Sequence, residues 1–263
     1  ITLALELLFL HRYEPYERAE RRTREIEQLH LQGAYTFNSP WLWIYRARNA
    51  LAQGRLDDAE RTLLETLPAD TIYVNFRQDS LGQLVQALLG RIAWMRGDAV
   101  ATAAHVAPLQ QGVPMLLLEI QAGAHVDAAL AEHALGQGAR ALEMLENARE
   151  LADDEELVHL GMLAAAVQVE LAARDGDLRL AQTTAAGMDL PSSWSLAQAP
   201  FALPWVCVEA LGRASVQLSL ARGEPMAALG TSQTLFALAQ SAGQRLGELT
   251  ALVLQARAVF SSQ

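Results

Sequence analysis

The sequence predicts an all-α fold: a right-handed α-solenoid of about six helix pairs, forming a single domain over residues 1–263. A glycine followed five residues later by an alanine recurs at Gly54/Ala59, Gly136/Ala141, Gly176/Ala181 and Gly223/Ala228, with degraded copies from Gly97 to Thr102 and from Glu14 to Ala19. The first positions are separated by 40, 43, 39, 40 and 47 residues, a period that marks stacked helical units. The composition agrees, because Ala and Leu dominate the 51% hydrophobic content and β-branched residues are sparse.

Each unit reads as a first helix, a turn at the glycine and a second helix. An early pair is expected over 1–11 and 16–30. The first clear unit follows, with helices over 41–53 and 57–67. Later first helices are expected near 79–96, 115–135, 155–174, 205–222 and 244–260, with second helices near 98–107, 139–152, 178–188 and 225–241. The glycine supplies the left-handed conformation that ends a first helix. Asp57, Asp58, Asp98, Asp177 and Glu224 then favour the next N-terminus. The alanine is small because the second helix must cross the first closely there. Pro68, Pro108 and Pro114, and the stretch from Met188 to Pro204 containing Trp194 and Phe201, are expected to form the connections between units. The acidic run from Asp153 to Glu156 is expected to start the helix that follows it.

The formal net charge of −10 argues against binding a phosphate backbone, and all 20 basic residues are Arg. Cys207 stands alone, which excludes a disulfide framework and fits a reducing cytoplasm. The apolar start lacks a basic leader, and the longest uncharged runs are broken by Pro, Gln, Ser or His, so neither a signal peptide nor a membrane span is expected. An enzyme is not expected either. No HExxH pairs the six histidines, and His125 and His133 stand two helical turns apart. Ser192, Ser193 and Cys207 have no evident base, and Gly136-Gln-Gly138 follows a helix where a dinucleotide loop would follow a strand.

Trp43, Ala47, Gly54, Leu56 and Ala59 match the core of the tetratricopeptide pattern. The longer spacing resembles the helical-repeat region of the MalT-like, large ATP-dependent LuxR-family transcriptional regulators. The runs 41–67 and 214–263 are the most similar stretches. The resemblance implies an effector-sensing and protein-interaction domain, cut from a larger protein. An N-terminal module would take ATP and a separate C-terminal helix-turn-helix would contact DNA. This segment would then hold no cofactor and would bind a small-molecule effector or a regulatory protein, with self-association as a further outcome. The alternative is a general scaffold that docks a peptide or protein partner in its concave groove.

In tetratricopeptide-like stacks the first helices line the groove, so the turn glycines serve as a ruler. Arg48, Arg91, Glu170 and Gln217 lie six residues before a turn, and Trp94 and His133 lie three before. Trp41 lies thirteen before and Arg213 ten before. Arg clamps carboxylate or phosphate and Trp offers a flat apolar surface, so these eight are the candidate groove residues. The competing role for each is packing and ion pairing between adjacent first helices.

Overall fold

The computed structural model describes residues 16–32, 39–66, 80–107, 118–154, 157–188 and 204–262. Among them it is all-helical, with twelve helices and no strand. In chain order these are α1 (Tyr16–Leu31), α2 (Ser39–Ala52), α3 (Leu56–Thr66), α4 (Ser80–Met95), α5 (Ala99–Val106), α6 (Leu118–Ala134), α7 (Gly138–Asp154), α8 (Val158–Arg174), α9 (Leu178–Gly187), α10 (Trp205–Ala221), α11 (Pro225–Ser241) and α12 (Arg245–Phe260). The helix expected over 1–11, the turn at Glu14 and the connections carrying Pro68, Pro108, Pro114, Trp194 and Phe201 lie outside the described residues.

The repeated glycine does what its spacing predicts. Gly54, Gly97, Gly136, Gly176 and Gly223 all have positive φ, between 71° and 81°. At the first of these, Gly54 N–H donates to Leu51 O and Arg55 N–H donates to Ala50 O, the paired bonds of a Schellman cap. Gly243, which the period does not mark, makes the same turn at φ 67° between α11 and α12. Asp98 and Asp177 then cap the following helices, accepting from the backbone N–H of Ala101 and Leu180.

Ala59, Ala141, Ala181 and Ala228 are buried, and Thr102 replaces the alanine in the degraded copy. The crossing opposite Thr102 is equally tight. A Cβ on Gly90 of α4 would sit 3.0 Å from Val106 Cγ1 of α5.

One expectation fails. Asp153 and Asp154 close α7, whereas α8 starts at Val158 with Leu157 as its uncapped boundary. The apolar stripe Ala141, Leu145, Ala148 and Ala152 stays buried to its end. Packing against α8 therefore extends α7 into the acidic run, over the weaker dipole preference of those carboxylates.

The helices pack in two layers. The first helices α2, α4, α6, α8, α10 and α12 each touch the next, while consecutive second helices make little contact. Each second helix instead packs on its own partner and on the following first helix. Apolar side chains fill the spaces, from Ile44, Leu63 and Ile92 at one end to Leu235, Ala251 and Leu254 at the other. Helix α8 is buried on nearly every side, because α6, α7, α9 and α10 enclose it.

The array also turns back on itself. Gln53, at the end of α2, donates from Nε2 to Gly243 O, just before α12, at 2.9 Å. Neighbouring first helices run parallel, since contacts along the layer join levels within about one turn of each other: His133, three residues before Gly136, meets Asp175, next to Gly176. The meeting of an end with a start therefore offsets the two by about one helix length. For the 16 residues of α12 that is roughly 24 Å.

Candidate functional site

The layer of first helices carries a seam of polar side chains from α4 to α12. Arg91 on α4 reaches Asp127 Oδ1 on α6 at 2.7 Å. On α8, Glu170 is 1% exposed, yet it is ionised between two guanidinium groups. Its Oε1 accepts from Arg174 at 2.5 Å and its Oε2 accepts from Arg213 Nε of α10 at 2.9 Å. Arg213 also holds Glu209 at 3.2 Å, and Glu209 accepts from the Thr250 hydroxyl of α12. Arg91 and Asp127 thereby join α4 to α6, and Glu170, Arg213, Glu209 and Thr250 join α8, α10 and α12, through side chains whose charges balance: Arg91, Arg174 and Arg213 against Asp127, Glu170 and Glu209.

A buried charge is tolerated only when paired and hydrogen-bonded, and these are. Burial pushes the Glu170 carboxyl up, but Arg213 and Arg174, with Arg91 further off, outweigh it and hold it below the ordinary carboxylate range. Burial likewise opposes the Arg213 charge, and Glu170 with Glu209 more than reverses that, holding it above an ordinary arginine.

Of the candidate groove residues, this seam takes in Arg91, Glu170 and Arg213. His133 stands beside it, its Nε2 2.8 Å from Asp175 Oδ1 at the end of α8. Gln217 lies one turn beyond Arg213 on α10, 3% exposed, and its amide nitrogen has no hydrogen-bond partner among the described residues. Trp94 packs against the central apolar cluster. Arg48 is half-buried and partnered. Trp41 belongs to α2, and its side chain lies outside the described residues. The contacts seen for Arg91, Glu170, Arg213 and His133 are thus ion pairs or hydrogen bonds between neighbouring helices.

The fixed ruler missed Asp127, Glu209, Arg174, Asp175 and Thr250. A signal for two of the partnerships was present. Arg91 and Glu170 lie six residues before their glycines, while Asp127 lies nine and Arg213 ten before theirs. An arginine or glutamate side chain spans that extra turn, so a search one turn back on the next first helix finds both partners.

Elsewhere, His125 is 5% exposed with Nδ1 unpartnered among the described residues, and burial lowers its pKa. His105 hydrogen-bonds Gln86, and burial lowers its pKa against an opposing pull from Glu60. Among the described residues no group of three or more His, Cys, Asp and Glu is placed to hold a metal ion. No described helix is long and apolar enough to cross a membrane. One surface stands apart. Leu249, Leu252, Val253, Val259 and Phe260 form an exposed apolar stripe along α12, with Phe260 75% exposed.

Comparison with protein-family models, with curated proteins and with solved structures gives no match for this chain.

Proposed function

We propose that this chain is the effector-sensing and protein-interaction domain of a bacterial ATP-dependent regulator of the MalT-like LuxR group, and that it does not itself contact DNA. In this reading the array is a right-handed solenoid of about six tetratricopeptide-like pairs working in the cytoplasm. ATP and DNA belong to other modules of the full-length protein. The observation that carries the proposal is the seam from Arg91 to Thr250. It ties α4 to α6 and α8 to α10 and α12, so a ligand that exchanges one of its ion pairs shifts neighbouring units relative to one another. The acidic net charge of −10 and the resemblance of 41–67 and 214–263 to that group support the same reading. Self-association is assigned to the apolar stripe of α12.

The experiment is a thermal-shift screen of the purified chain against sugars, carboxylates and phosphorylated metabolites, repeated on Arg91→Glu. One metabolite class raises the melting temperature of the native chain, and the shift shrinks in the variant. A panel with no stabilising compound removes the sensing role and leaves a scaffold that docks a peptide or protein.

A further inference from the structure

We propose that the contact between Gln53 and Gly243 is a clasp that holds the array closed, and that its release opens the array without unfolding any helix pair. This inference rests on the sensing role proposed above only where it concerns ligands.

Almost every packed pair of helices is close in the chain, one or two helices apart, and the interfaces share apolar side chains. The meeting of α2 with α12 is of another kind. It brings residues 190 apart in sequence together where the two helices approach, and a side-chain hydrogen bond across it runs 2.9 Å from Gln53 Nε2 to Gly243 O. Both partners sit in helix-ending turns: Gln53 immediately precedes Gly54 at φ 71°, and Gly243 itself has φ 67°. Turns of this kind leave carbonyls outside the helical ladder, and Gly243 O is taken by a side chain from the far end of the array.

A stack whose units touch only their neighbours distributes a small rotation over every interface. Its two ends can therefore separate while each pair stays folded. Ion pairs join α4 to α6 and α8 to α10, and Glu209 accepts from Thr250 of α12, all between the two sides of the clasp, so a change at one of these joints alters how the ends meet.

The test places nitroxide labels at Arg55→Cys and Arg245→Cys, two residues beyond each partner and both exposed. Cys207 is fully buried, which directs labelling to the new thiols. Pulsed dipolar spectroscopy on the full chain is expected to give one short distance. Gln53→Ala adds a longer one, with the open-to-closed ratio raised roughly 2- to 12-fold, the effect of one net hydrogen bond. Gln53→Glu keeps the shape but sets an acceptor against an acceptor, and opens the array further. Far-UV circular dichroism stays unchanged in both. Distance distributions identical to the native one in both variants overturn the clasp. A metabolite that stabilises the chain without moving the distribution overturns the coupling and leaves sensing intact. A distribution that responds to Gln53→Ala in a chain that binds no metabolite keeps the clasp and removes sensing.

Discussion

Replacing Glu170 by Gln tests whether the seam holds the first helices together. The substitution keeps volume and hydrogen-bonding capacity but removes a charge that is 1% exposed and lies between Arg174 and Arg213. Removing one partner of a buried ion pair costs about 3–5 kcal/mol. The low end applies, because Arg213 keeps Glu209 at 3.2 Å and Arg174 is 34% exposed and can turn to water. For a chain of this size a loss of about 3 kcal/mol lowers the melting temperature by roughly 6–12 °C. The pH dependence has a definite sign. The Glu170 pKa is lowered in the folded chain, so its contribution is fully present above the ordinary value near 4.5 and is lost as pH falls towards the folded value. The native chain therefore loses stability on acidification more steeply than Glu170→Gln. Calorimetric melts of both chains between pH 7 and the acid limit measure this. A double-mutant cycle with Arg213→Met should show coupling of about 1–3 kcal/mol. Equal melting temperatures at neutral pH, or parallel pH profiles, would refute a stabilising ion pair.

Three further outcomes are expected elsewhere in the array. Gly212→Ala puts a Cβ 2.9 Å from Leu235 Cδ2, and Leu235 is fully buried; overpacking of about 1–3 kcal/mol exceeds the helix-propensity gain of about 1 kcal/mol, so urea melts show net destabilisation. Gly123→Ala on α6 meets nothing within 4 Å among the described residues and should stabilise by up to about 1 kcal/mol in the same assay; equal signs for the two would remove the close-approach argument. Leu252→Glu with Val253→Glu should reduce any concentration-dependent increase in mass seen by light scattering, and an unchanged mass profile would take self-association away from α12.

Much of the fold was legible because its signals are local. A positive-φ glycine, an acidic cap and a small residue at the crossing act within one turn of themselves; the glycine recurs at every unit from Gly54 to Gly223, and the acidic cap forms at Asp98 and Asp177. The acidic run at Asp153 was misread because a dipole preference worth a fraction of a kcal/mol competes there with a buried stripe on α7. Arg91, Glu170, Arg213 and His133 were found by counting from the glycines, and Glu170 pairs with Arg213, but the partners Asp127, Arg174, Glu209 and Asp175 were not found. A partner lies on another helix, at a level set by side-chain length and helix crossing.

The sequence by itself determined that the described residues are helical and where the glycine turns fall, since those depend on short-range periodicity. Only the tertiary structure decided that Glu170 sits between two arginines, that Gly212 is required by Leu235, and that Gln53 reaches Gly243. The reason is physical. Small rotations between successive units accumulate along a stack, and no single turn records their sum, so what meets at long range is set by packing along the whole array.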